Sequence, residues 1–117
     1  MGAIAKRIVW GTEKAGLKVY LRLSHDDDDG LLKVLLAVAV ELAEQYVGAG
    51  LDHLDPEEGT PLPLPEPVRL WTYRYVAWRY ERRDERSAES TGRGGDSITW
   101  QDEPDYSLLA PWRTVRC

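Results

Sequence analysis

The sequence predicts a mainly α-helical protein, a small domain with two long antiparallel helices, one short N-terminal helix, a flexible loop and an extended C-terminal tail. Two segments have the composition and spacing of long helices, one from the aspartates at 26–29 to Gly48 and one from about 67 to 86. Prolines at alternate positions separate them. At 117 residues the chain fits one compact domain with a modest core.

The short helix is expected from about 13 to 22, after an N-terminal arm of residues 1–11. Thr12 is a candidate N-cap, and Glu13 follows in the first turn, where the helix dipole favours an acid. One apolar face at i, i+3, i+4 spacing consists of Leu17, Tyr20 and Leu21.

The first long helix is apolar on nearly every side. Its large aliphatic residues point in almost all directions around the axis: Leu31, Leu32, Val34, Leu35, Leu36, Val38, Val40 and Leu42. A helix that is apolar all round must be covered all round. Either the rest of the chain or another subunit supplies this cover, and the sequence leaves both sources open.

A proline-rich connector, residues 51–66, leads to the second long helix. Its prolines keep the backbone extended and remove hydrogen-bond donors, so we expect a stiff surface spacer. The second helix has a core-facing stripe of Val68, Trp71, Tyr75 and Trp78.

The remainder is predicted to be mostly irregular. Residues 87–97 are polar and glycine-rich, which is typical of a flexible loop. The segment SITWQDE is either a short strand or an extended arm. A last helical turn should end at Pro111 and close a helical domain of residues 12–113, and residues 114–117 should form an extended tail.

Composition and motifs argue against several classes of protein. The net charge of −5 disfavours a protein that coats nucleic acid, whose surface should be basic. No nucleophile, phosphate-binding or dinucleotide-binding motif is present, so we expect no enzyme and no cofactor. The longest near-apolar run, residues 31–43, is too short for a membrane span and contains Lys33 and Glu41.

The run of aspartates Asp26–Asp29 could suggest a metal site. Aligned to the EF-hand loop pattern with Gly30 at the glycine position, it requires an acid at 25 and a glutamate at 36. The chain has His25 and Leu36 there. We therefore expect no metal, with one aspartate capping the following helix and the others facing water.

Arginines recur near the end of the second long helix, at i, i+3, i+4, i+7 spacing: Arg79, Arg82, Arg83 and Arg86. Such a stripe could bind phosphates, with Trp78 and Tyr80 stacking on bases. Acids are interleaved with it, which favours a solvated face or salt bridges between subunits. A small protein that uses this stripe to bind DNA or to regulate its packaging is the alternative interpretation.

Taken in order, the segments resemble the head-tail connector (adaptor, or head-completion) proteins of long-tailed double-stranded DNA bacteriophages. The first helix ends in Leu-Arg, and acids precede a Leu-Leu pair. A Glu-x-Tyr-x-Gly turn and a Tyr-Glu-x-Arg helix end follow, before a closing Leu-Leu-x-Pro-aromatic-Arg element. In this chain these residues are Leu21, Arg22, Leu31, Leu32, Glu44, Tyr46, Gly48, Tyr80, Glu81, Arg83, Leu108, Leu109, Pro111, Trp112 and Arg113.

The resemblance implies a non-catalytic virion protein at the neck, assembled in the host cytoplasm, that forms a ring of about twelve copies. The ring would join the portal protein to the stopper or tail-completion protein and leave an axial channel for double-stranded DNA. We expect subunit contacts from Leu32, Leu35, Leu36, Arg79, Arg82, Arg83 and Arg86. A portal-docking tail would contain Trp112, Arg113, Val115 and Arg116.

Overall fold

The computed structural model describes residues 2–82 and 104–113, and within these ranges the chain is helical, with no strand. This confirms the predicted mainly α fold with two long helices. The α-helices of these ranges are α1 (Ala3–Arg7), α2 (Trp10–Leu21), α3 (Asp29–Val47) and α4 (Glu66–Glu81). The same ranges contain 3-10 turns at Asp52–Leu54 and Ala110–Trp112.

The core lies mainly between α3 and α4, which form the most extensive helix pair. The predicted stripe on α4 is confirmed for Val68, Trp71 and Tyr75, which are buried, whereas Trp78 is only partly buried. Helix α3 contributes seven buried residues to the core: Leu32, Leu35, Leu36, Ala39, Val40, Ala43 and Val47.

Helix α2 begins earlier than predicted, and the expected cap at Thr12 is wrong. The N-cap is Val9, whose carbonyl accepts hydrogen bonds from the backbone N–H groups of Thr12 and Glu13, each at 2.9 Å. Thr12 therefore lies inside the first turn and faces outward. The helix ends at Leu21, after which Arg22 adopts a left-handed conformation with φ of 62°.

The N-terminal arm contains helix α1, which packs on α3. The Glu44 carboxylate accepts a hydrogen bond of 2.9 Å from the backbone N–H of Ala5. It also lies so close to Gly2 that a side chain there would overlap it. Ile4 is fully buried, so tertiary contacts hold this short helix in place.

The proline-rich connector is fastened to the body of the protein by Arg7. The guanidinium group pairs with Asp55 at 2.7 Å and donates to the carbonyl oxygens of Leu54 and Leu62, both at 2.8 Å. Leu54 and Leu64 are buried. The connector is thus held at several points along its length.

The closing turn differs from the prediction in one respect. Pro111 lies inside the 3-10 turn Ala110–Trp112 and does not end it. Leu109, just before the turn, is fully buried and anchors it to the core. The predicted end of the second helix after residue 82, the loop at 87–97, the SITWQDE segment and the tail at 114–117 lie outside the described residues.

Candidate assembly surfaces

Three of the aspartates at 26–29 pair with side chains of α2 and α4, and two of these three share Lys18. Lys18 of α2 donates hydrogen bonds to Asp26 and to Asp29, the latter at 3.0 Å. Lys14 pairs with Asp29 at 3.1 Å. Asp28 accepts a hydrogen bond from the Tyr80 hydroxyl of α4.

The expected capping role of these aspartates is wrong. Asp28 is the N-cap of α3, but its side chain makes no capping hydrogen bond. The hydrogen bond from Lys18 is the main cause that lowers the pKa of Asp29. Within the part of the chain that the structure describes, no group of three or more His, Cys, Asp or Glu side chains could hold a metal ion.

A second polar contact joins α2 to α4. Glu13 is buried, and its carboxylate accepts a hydrogen bond of 2.5 Å from the Tyr73 hydroxyl. Arg69 lies 3.4 Å from the same oxygen. Burial, reinforced by this hydrogen bond, raises the pKa of Tyr73 above its usual range, so the phenol stays protonated as the donor.

The three leucines predicted to contact another subunit lie in the subunit's own core. Leu32, Leu35 and Leu36 are only 0%, 7% and 2% exposed. Little of their surface is therefore left for a second copy to contact, although Leu36 also lines an open groove beside α3.

The opposite side of α3 exposes a different apolar stripe. Leu31, Val34 and Val38 follow i, i+3, i+7 spacing, and Val34 is 58% exposed. The rest of the described chain therefore covers only one side of the all-round apolar helix. Contiguous exposed apolar surface of this kind is typical of interaction sites.

Next to this stripe lies an open groove of about 700 Å³ between α1 and α3. Its apolar lining includes Ile8, Trp10, Leu36, Ala37 and Val40. Lys33 lies towards one end, and Glu41, Glu44 and Gln45 lie towards the other.

Residues 104–113 pack on their own subunit. Tyr106 stacks on Tyr46 and on Trp71, with ring centroids 4.5 and 5.2 Å apart. The indole N–H of Trp71 donates a 2.8 Å hydrogen bond to the carbonyl of Asp105. At the end of the segment, the Arg113 guanidinium lies 5.0 Å from the centroid of the Tyr46 ring.

Comparison with known proteins covers this segment together with helices α3 and α4. The family model of phage gp6-like head-tail connector proteins matches residues 15–113. The chain belongs to this family. Neither the comparison with curated proteins nor the comparison with solved structures gave a match.

The family match confirms the resemblance inferred from the sequence. It extends from within α2 to Arg113, the last described residue. Connectors of this family are structural proteins of the phage virion and not a known family of enzymes. In the described residues of this connector, no helix has the length and apolarity that crossing a bilayer requires.

Two of the four arginines in the predicted stripe are described, and both contact aromatic side chains of their own helix. Arg79 donates a 3.3 Å hydrogen bond to the Tyr75 hydroxyl. Arg82 lies 4.9 Å from the centroid of the Trp78 ring. Arg83 and Arg86, like Val115 and Arg116 of the predicted tail, lie outside the described residues.

The predicted docking residues Trp112 and Arg113 already have contacts within the subunit. Trp112 packs partly buried against the core. Its carbonyl lies so close to Gly50 that a Cβ there would overlap it. The sequence pattern did not predict this contact, because Gly50 and Trp112 are far apart in the chain. A glycine just after the end of a helix indicated only a turn.

Proposed function

We propose that this connector forms a ring of about twelve copies between the portal and the stopper or tail-completion protein of a tailed phage, at the virion neck. Double-stranded DNA passes through its axial channel, and the protein is assembled in the host cytoplasm. The family match over residues 15–113 carries this proposal.

The apolar outer side of α3 supports self-assembly. Leu31, Val34 and Val38 are exposed on a subunit whose core is otherwise well covered. Burying such side chains stabilises an interface by roughly 25 cal/mol per Å² of apolar area, before the cost of association is subtracted.

The charge of the protein supports a channel that releases DNA. Phosphate contacts from Lys and Arg supply most non-specific affinity for DNA, and this chain has 20 acidic residues against 15 basic ones. An acidic ring would therefore let DNA slide past without being retained.

The C-terminal tail is the proposed portal contact. Contacts at Trp112 and Arg113 fix the start of the tail near the C-terminal end of α3. Val115 and Arg116 follow and offer one apolar and one basic side chain. A short segment held at its base loses less conformational entropy on docking than a free one.

Truncation after Arg113 tests this tail. It leaves every described contact in place, so we expect the melting temperature to stay unchanged while binding to purified portal is lost. Truncation before Trp112 is the less clean variant, because it also removes packing against the core. Full portal binding by the chain truncated after Arg113 would show that the tail assignment is wrong.

A gel-shift assay with duplex DNA tests the alternative function, which is DNA binding through the arginine stripe. A salt-dependent shift of duplex DNA, lost when Arg79, Arg82, Arg83 and Arg86 are changed to alanine, would support it. We expect no such shift at physiological salt, because the chain is acidic.

A further inference from the structure

We propose that the groove between α1 and α3 of one subunit receives the C-terminal corner of α2 from the next subunit. The corner consists of Val19, Tyr20 and Arg22. This inference rests on the proposed function, because it assigns the two surfaces that would meet in the ring.

The corner exposes apolar side chains at the end of a helix, so it can enter a groove on another subunit. Val19 is 76% exposed, the largest exposed fraction among the large hydrophobic side chains described. Tyr20 is also exposed, and its ring is held against Tyr73 in an edge contact at 5.6 Å. Arg22 follows in a left-handed conformation that ends the helix sharply.

The groove has the complementary chemistry. Its floor is apolar, with Leu36, Val40 and Trp10 among the lining residues, so it can cover a valine and part of a tyrosine. Ala37 lies on the open side of the groove, next to the exposed stripe at Val34 and Val38. The apolar surface therefore extends beyond the groove itself.

Charge fixes the direction in which the corner would enter. Glu41 and Glu44 lie at the end of the groove towards the C-terminus of α3, where the helix dipole is also negative. Lys33 lies eight residues before Glu41, about 12 Å along the helix. Arg22 is attracted to the acidic end and repelled from the Lys33 end.

The side chains of Arg22 and Glu41 are both available for such a pair. Neither makes an ion pair or side-chain hydrogen bond within residues 2–82 and 104–113. Glu44, in contrast, is already occupied by the backbone N–H of Ala5. Glu41 is therefore the acid that we assign to Arg22.

The two surfaces lie at opposite ends of α2, so a subunit cannot fill its own groove with its own corner. Trp10 lines the groove, and Tyr20 is ten residues further along the helix, about 15 Å away. Contact between two different surfaces is head-to-tail and propagates until a ring closes. The same contact repeated around an axis would use every groove and every corner.

Charge reversal tests the pair. Arg22→Glu and Glu41→Arg should each weaken subunit association at least about tenfold, and the double variant should recover most of it. Association is measured by native mass spectrometry, with and without purified portal. Arg74→Glu and Glu57→Arg are the matched controls, because both residues are exposed and lie outside the corner and the groove.

Cysteine cross-linking tests the geometry directly. The chain has a single cysteine, Cys117, which is first replaced by serine. Val19→Cys combined with Ala37→Cys should give, on oxidation of the assembled protein, a ladder of covalent dimers, trimers and larger species. Oxidation of either single variant should give no covalent oligomers, because each subunit then has a cysteine on only one side of the contact.

The outcomes separate this inference from the proposed function. Normal ring formation by both charge-reversed variants, together with no cross-linked ladder from the double-cysteine variant, would overturn the corner-in-groove contact while leaving the connector function standing. Dimers from Ala37→Cys alone would also overturn it, since α3 would then face α3. A wild-type protein that neither self-associates nor binds portal would overturn the proposed function, and this inference with it.

Discussion

Lys18 lies between Asp26 and Asp29, and its ammonium group links α2 to the start of α3. Tyr80 makes the corresponding link from α4 through Asp28. Asp26, Asp28 and Asp29 thus pair with side chains on two other helices, whereas Asp27 lies beside His25. Sequence spacing could not indicate these partners, because nothing local distinguishes an aspartate that caps a helix from one that pairs with a lysine on another helix.

These ion pairs predict a loss of stability in acid. The pKa of Asp29 is lowered, mainly by hydrogen bonding to Lys18, and that of Asp55 is lowered, mainly by Arg7. A lowered pKa in the folded state stabilises the fold above the unfolded value of 3.8, and this contribution is lost as the pH falls through the folded pKa.

The measurement is urea unfolding at pH 6 and near pH 3. The wild type should lose more stability between the two than Asp29→Asn or Asp55→Asn, since each variant lacks one titrating carboxylate. Glu57→Gln controls for the change in net charge, because Glu57 is exposed and makes no ion pair in the described part of the chain. Equal losses in the wild type and both asparagine variants would contradict this account.

Gly50 is a position where the absence of a side chain permits a close contact with another segment. A Cβ there would overlap the carbonyl oxygen of Trp112, which is backbone and cannot rotate away. We expect Gly50→Ala to cost about 1–3 kcal/mol and to expose Tyr106 to chymotrypsin.

Gly11→Ala is the matched control, because nothing lies within 4 Å of the added methyl group. Alanine is also a better helix former than glycine, so this variant should be no less stable than the wild type. If thermal unfolding and cleavage of Gly50→Ala equal those of the wild type, then the Trp112 carbonyl does not lie this close to Gly50.

At the scale of elements, helix periodicity predicted the core side of α4 but not the two sides of α3. In α4 arginines such as Arg69 and Arg74 lie between the members of the stripe, so Val68, Trp71 and Tyr75 define one face. In α3 aliphatic residues occur on every side, and only the packed structure separates the core residues from Leu31, Val34 and Val38. The leucines that the sequence suggested as subunit contacts therefore lie on the side of α3 that faces the subunit's own core.

Substitutions on the two sides of α3 should have opposite effects. Leu36→Ala removes a buried side chain and should cost about 2–5 kcal/mol of unfolding free energy. Val34→Ala should change that free energy by less than about 0.5 kcal/mol but weaken subunit association. Denaturant unfolding together with analytical ultracentrifugation separates the effects. Loss of stability in Val34→Ala would mean that Val34 belongs to the core.

Helix α1 could not be predicted because its stability is not local. Five residues are too few for a helix to persist alone. It exists here because Ile4 is buried and Glu44 of α3 accepts a hydrogen bond from its backbone. Glu44 and the α3 surface on which the helix packs lie far from residues 1–11 in the chain, so the local pattern could not indicate them.

At the scale of the whole molecule, the order and spacing of motifs indicated the family, while the surfaces proposed to join subunits could be found only in the structure. The corner and the groove combine residues from α1, α2 and α3, and their complementarity depends on how these helices pack. Head-to-tail contact of two different surfaces is the arrangement that a closed ring needs.

The mass of the complex with portal tests the central claim, that this connector forms a ring, most directly. Purified protein is mixed with purified portal, and native mass spectrometry measures the number of copies bound. We predict all-or-none binding of a single closed set, about twelve copies per portal ring, imaged by electron microscopy as a collar around an open channel. Binding of a variable number of isolated copies, or no binding, would contradict the account.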